Sequence, residues 1–242
     1  MNATQVLLVV AVVALAALVQ GISGFGFSLM SMPLLSAFLG VEKSLAIQTA
    51  LGIAANAVTA VRARRDVLRA TTARIVAATV VGMPFGWVLL DHANARLMKA
   101  TVGASVAAMA LLLARRVRIR ASGKIVDAIS GFISGILATS VGTNGPPLVI
   151  GLSGRQLAAQ QQRATLSSCF MLGNIIVFVA LLIAGRYTTE VTTATLASLP
   201  IVLVSTMAGD RIFKRLRQHH YDNIVILLLL TSSAIAILSA LA

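Results

Sequence analysis

The chain reads as an all-α integral membrane protein made of two inverted repeats, each a broken, re-entrant helical hairpin followed by three transmembrane helices. Composition gives the class: of 242 residues, 58% are hydrophobic and 11% charged, against about 25% charged in a soluble domain. Apolar runs give the elements, because most approach the ~20 residues that cross a bilayer. The hairpins come from two runs interrupted by glycine and proline, placed alike in the two halves.

The runs fall at 5–39, 44–61, 75–90, 97–114, 125–152, 164–185, 191–209 and 222–241. The first is too long for one span and is broken by Gly21, Gly24, Gly26 and Pro33, within "GISGFGFSLMSMPLL". The fifth is broken by Gly142, Gly145, Pro146 and Pro147, within "SVGTNGPPLVIGL". A break inside a membrane helix frees backbone N–H and C=O groups, which protein or a water-filled cavity must then satisfy. Gly21-Ile22 lies twelve residues before Pro33, as Gly135-Ile136 lies twelve before Pro147, and Leu34 matches Leu148. Asn56 then matches Asn174 after a four-residue length difference. The halves are therefore 1–114 and 115–242 of a single membrane domain.

Charge selects how the fifth run crosses. If every run spans once, the basic residues of the loops divide eleven to nine, which is no bias. If 125–152 returns to the side it left, they divide sixteen to four, with only Lys43, Arg96, Lys99 and Arg186 outside. The positive-inside rule prefers the second arrangement. Residues 1–39 hold no Lys or Arg, so re-entrance of the first element rests on the repeat. With three spans in each half, an odd number, the second repeat is inverted, and a site between such repeats lies near the bilayer midplane.

The second break has the composition of a helix start. Gly142 and Gly145 permit a tight turn, Thr143 or Asn144 suits a cap, and Pro146 and Pro147 suit a first helical turn. A helix start there aims N–H groups and a positive dipole end at the membrane centre, which favours an anion. Ser28 and Ser31 ahead of Pro33 do the same less strongly. The candidate binding set is Gly142, Thr143, Asn144, Gly145, Ser28, Ser31, Asn56 and Asn174, with Gly21, Gly24, Gly26, Pro33, Pro146 and Pro147 as break or hinge positions. Gln48, Ser167 and Ser168 are weaker candidates. The plainer alternative is that such small and amide residues only pack or link helices. Gly82 and Gly86, with Pro84 between them, read as a packing face or kink, and a homodimer is the partner such a face suggests.

All seven acidic residues and all three histidines fall at or near run ends, so no buried proton relay is visible. An acid-free core suits an anionic substrate. The sequence holds no phosphate-binding loop, metal-ligand cluster or nucleophile–base pair, so neither an enzyme nor a cofactor is expected. The single cysteine, Cys169, excludes an internal disulfide. The 20 Lys and Arg residues against 7 Asp and Glu sit between apolar runs, where their partner is the lipid surface and not nucleic acid. No basic residue precedes the first run, so it is expected to be retained and not cleaved as a signal.

At "GISGFGFSLMSMPLL", at "SGILATSVGTNGPPLVIGL" and at the basic segment "RARRDVLRATTAR", the chain resembles the sulfite exporter TauE/SafE family of bacterial membrane permeases, over nearly its whole length. The resemblance implies transport of small sulfur-containing anions, sulfite or organosulfonates, across the bacterial inner membrane; direction does not carry over from it, and export is the expectation adopted. It carries over most specifically onto Gly142 to Pro147. A cation or metabolite permease and a non-transporting membrane scaffold are the alternatives left by the residues alone.

Overall fold

The computed structural model describes residues 3–92, 123–153, 155 and 157–215, with the single positions 97, 101, 104 and 111. The rest of the expected run 97–114, the run 222–241, and the boundary expected at 114/115 lie outside the described residues, as do His219, His220 and Asp222.

The described residues form eight helices: α1 Ala3–Ser23, α2 Phe27–Leu39, α3 Val41–Arg62, α4 Arg69–His92, α5 Lys124–Ser140, α6 Gly145–Ser153, α7 Ala159–Ile183 and α8 Thr189–Arg215. Five of them, α1, α3, α4, α7 and α8, are long and apolar enough to cross a membrane. The other three have 13, 17 and 9 residues. At about 1.5 Å per residue, none reaches the ~30 Å of a hydrocarbon core. These three belong to the two interrupted runs, so both long runs divide as their glycines and prolines indicate.

The breaks are narrower than expected. Residues 24–26 separate α1 from α2, with Gly24 at φ +77° and Gly26 at φ +122°. Residues 141–144 separate α5 from α6, with Gly142 at φ +67°. Only glycine adopts such angles without strain. Pro146 and Pro147 lie in the first turn of α6 as expected. Gly21, however, lies inside α1, and Pro33 lies inside α2, well past its start.

Gly21 and Gly135 serve a different purpose: they are helix crossings. A Cβ on Gly21 would overlap Thr206 O of α8 and lie 2.9 Å from the Gly209 Cα. A Cβ on Gly135 would overlap Thr79 O of α4 and lie 3.1 Å from the Gly82 Cα. The facing helices carry the same Thr-x-x-Gly spacing, Thr79 to Gly82 and Thr206 to Gly209. Each threonine hydroxyl donates to the carbonyl four residues back, Ile75 and Val202. Glycine at both sides lets two backbones approach within contact distance.

From the breaks as far as the asparagines, like positions keep a spacing of 118 residues: Gly24 and Gly142, Phe27 and Gly145, Val41 and Ala159, Asn56 and Asn174; α4 and α8 begin 120 apart. The crossing glycines Gly21 and Gly135 are 114 apart. The four-residue difference therefore lies between Gly135 and Gly142, as about one extra turn on α5. It does not lie beyond the prolines, and Pro33 and Pro147 occupy different positions in their helices.

Ion pairs sort the helix ends into two groups. At one end, Lys43 bonds Glu190 at 2.7 Å, and Arg186 reaches Glu42 at 2.6 Å and Asp91 at 3.4 Å. At the other, Asp127 in the first turn of α5 is held by Arg74 and by Arg155, which follows α6. The two ends of the α5–α6 element thus meet. Asp210 of α8 is held there by Arg62, Arg163 and Lys214.

Candidate functional site

The helix α3 runs past both breaks. A Cβ on Gly142 would lie 2.9 Å from Leu45 Cδ1, 2.8 Å from Gln48 Nε2 and 3.1 Å from Met32 Cγ. The second break is therefore seated on α2 and α3. Gln48 Nε2 donates to Gly142 O at 3.3 Å, and Ser134 Oγ donates to Asn144 O at 2.9 Å. These bonds satisfy two of the carbonyls that the break frees.

Thr143 is fully buried and Asn144 nearly so. Ser31, one position before Met32 on α2, is also fully buried, whereas Ser28 is half-buried. Two buried oxygens in this region, Ser31 Oγ and Gln48 Oε1, have no hydrogen-bond partner. Unpaired buried polar atoms cost free energy. Pro146 and Pro147 carry no N–H, so α6 opens with fewer free donors than an ordinary helix start. Side chains must supply the rest.

One turn further along α3, Gly52 receives both predicted asparagines. Asn56 Nδ2 donates to Gly52 O at 2.7 Å. Asn174 Nδ2 would lie 2.6 Å from a Cβ on Gly52, so the missing side chain is what lets α7 bring it in. Phe27, the first residue of α2, borders the same glycine.

The first break is held by a residue outside the predicted set. Gln20 Nε2 donates to Gly24 O at 2.9 Å and to Asn56 Oδ1 at 2.6 Å, and its Oε1 accepts from Phe27 N at 3.2 Å. Gln20 thus consumes the first N–H of α2, which weakens that helix start as an anion site. From α7, Ser167 Oγ donates to Gly24 O at 3.1 Å. A lone glutamine in an apolar run was the signal.

Gly142, Asn56 and Asn174 therefore meet along one polar face of α3 (Gln48, Gly52 and Asn56), about 12 Å long at 1.5 Å per residue. The second break lies at its Gln48 end and the first at its Asn56 end. They do not meet at one point. Asn56 is hydrogen-bonded to Gly52 and Gln20, and unpaired buried polar atoms lie beside both breaks, Ser31 Oγ and Gln48 Oε1 at the second and Arg163 Nε at the first.

The core is not free of acid. Asp127 and Asp210 are each 1% exposed, although both lie near helix ends, because arginines from neighbouring helices cover them. A carboxylate is tolerated out of water when it is paired in this way. Neither lies at the second break. Among the described residues, no group of three or more His, Cys, Asp or Glu side chains is placed to hold a metal ion.

The family model described as sulfite exporter TauE/SafE matches residues 9–236. The chain belongs to the sulfite exporter TauE/SafE family. No curated protein and no solved structure matches it significantly. Membership in this family of transporters, together with five long apolar helices, makes the chain a multi-pass membrane transporter. The segment matched includes both breaks, all of α3 and both crossing glycines.

Proposed function

We propose that the protein moves a small sulfur oxyanion, sulfite or an organosulfonate, across the bacterial inner membrane, binding it at the second break. The observation that supports this reading is that Thr143, Asn144, Gln48 and Ser31, polar and uncharged, are all buried at or beside the second break, and that Ser31 Oγ, a hydroxyl able to donate, has no partner there. Uncharged donors suit a weakly held anion that must also leave, and fixed dipoles serve that purpose in a site without water. The Ser31 hydroxyl would donate a hydrogen bond to an oxyanion.

In this reading the chain is two inverted repeats, 1–114 and 115–242, and each break is the tip of a re-entrant hairpin. The fixed 118-residue spacing, the paired Gly21/Gly135 crossings and the Asp127–Arg155 ion pair support it. The end holding Arg62, Arg74 and Arg155 is then cytoplasmic. Its positive charge would concentrate anions there and speed their binding from that side. Alternating access follows from movement of the hairpins against α3 and α7, with Gly24, Gly26 and Gly142 as pivots.

Thermal unfolding in detergent tests this, with sulfite, thiosulfate, sulfate, sulfoacetate and chloride compared at matched ionic strength. A ligand at about 100 times its dissociation constant stabilises by about 2.7 kcal/mol. One sulfur anion should raise the Tm of the wild type and not that of Asn144→Ala. An equal response in both proteins would remove the second break as the site.

A further inference from the structure

We propose that the cytoplasmic end of the transporter carries a second oxyanion subsite, centred on Arg163, in which the Asp210 carboxylate stands in for the transported anion. This rests on the transport reading for the identity of the anion, while the subsite itself is argued from charge and burial. Asp210 is approached by three cations: Arg163 Nη2 at 2.8 Å, Arg62 Nη1 at 3.0 Å and Lys214 Nζ at 3.1 Å. One arginine would balance one carboxylate, so the cluster holds two positive charges in excess.

The positive-inside rule accounts for basic residues that face headgroups. It does not account for Arg163, which is 1% exposed. A buried guanidinium is costly unless its donors are taken up, yet Arg163 Nε is buried without a partner. Its Nη2 serves both Asp210 Oδ1 and Gly21 O, and the Phe213 ring lies 4.3 Å from the guanidinium carbon. Arginine offers a planar fork of donors that suits two oxygens of one anion. On the Nε side, Asp210 leaves that fork unfilled.

A sulfite or sulfonate group has three oxygens. It can span the Nε and Nη2 donors and still face Arg62 and Lys214, releasing Asp210 from the fork. Arg163 also borders the first break, since a Cβ on Gly24 would overlap its Cγ. Exchange of Asp210 for the anion would therefore occur against the tip of the first hairpin. Occupancy of the subsite and the position of that tip are then linked.

The test is anion rescue of Asp210→Asn in the full-length protein, purified in detergent. Sulfite, sulfate and formate are compared with gluconate, which is too bulky, at matched ionic strength. The variant leaves Arg163 buried without a counter-charge and should unfold at a lower temperature than wild type. The small oxyanions should restore its Tm saturably, because binding to the native state raises stability with concentration. The charge-neutral double variant Arg163→Met/Asp210→Asn should show no such response.

An Asp210→Asn response to anions no larger than that of wild type, or an equal response in the double variant, overturns the proposal. If Asp210→Asn can be purified in sulfate but not in gluconate, the proposal stands. Failure in both buffers, while the double variant folds, overturns it. Rescue of Asp210→Asn alongside an unchanged anion response in Asn144→Ala keeps this subsite and removes the one at the second break. Loss of response in Asn144→Ala without rescue of Asp210→Asn does the reverse.

Discussion

The side-chain amide of Gln48 donates to the backbone carbonyl of Gly142 at 3.3 Å, across 94 residues of chain. The bond joins the third helix to the tip of the second broken element. The carbonyl it takes up is one that the break frees, in a region where Thr143 beside it is fully buried.

Gln48→Leu keeps most of the volume and removes the donor. Leaving a buried polar group unpaired costs about 1–3 kcal/mol, so the Tm should fall and the sulfur-anion response of the wild type should weaken. Thermal scans with and without anion read both effects. An unchanged Tm would mean that the break does not lean on this helix.

Glycine crossings should tolerate a methyl group poorly. A Cβ on Gly135 would overlap Thr79 O, and one on Gly209 would overlap Leu18 O. Gly135→Ala and Gly209→Ala should each be destabilised by about 1–3 kcal/mol, as overpacking usually is. Gly173→Ala is the control, because its Cβ would meet only Thr79 Cγ2 at 3.9 Å. Denaturation curves of the three variants should separate the control from the other two.

Topology is open to labelling in a Cys169→Ala background, since Cys169 is the chain's single cysteine. A cysteine introduced at Gln160 should react with an impermeant thiol reagent only after the cells are opened. One at Thr188, in the segment that carries Arg186, should react in intact cells. Labelling of Gln160→Cys from outside would remove the hairpin arrangement.

The Tyr187 phenol lies between two spans and donates to Ala46 O at 3.0 Å. Burial pushes its pKa above the ordinary value. The neutral phenol is thus favoured in the folded state, and its stabilising contribution is whole below the unfolded value of about 10. Above that pH, the unfolded chain ionises first and stability declines. The Tm of the wild type should drop between about pH 10 and 11 more steeply than that of Tyr187→Phe.

Much of this arrangement can be read from residue types. Gly24, Gly142 and the paired prolines mark the breaks, because few other residues adopt those angles or start a helix so readily. Gly21 was expected at a break but lies at a close crossing, since a glycine in an apolar run gives the same signal for both. Gln20, Gln48 and Ser167 show the opposite limit. A single polar residue in a span announces that it needs a partner, but nothing local says which: Gln20 finds its partners in its own half, at Gly24, Phe27 and Asn56, whereas Gln48 and Ser167 bond carbonyls in the other half. The burial of Asp127 and Asp210 was hidden for a related reason. A charge at the end of an apolar run predicts water, and the arginines that cover these two come from elsewhere in the chain.

Because Asp127 and Arg155 touch, the segment from α5 through α6 begins and ends at the same place. To the helices after it, such a segment amounts to zero net displacement. A short linker in its place would leave α7 and α8 pointing as they do now. The element is therefore a cassette: its direction of departure does not set that of the helices downstream, and what constrains its tip is the close fit of Gly142 against α2 and α3.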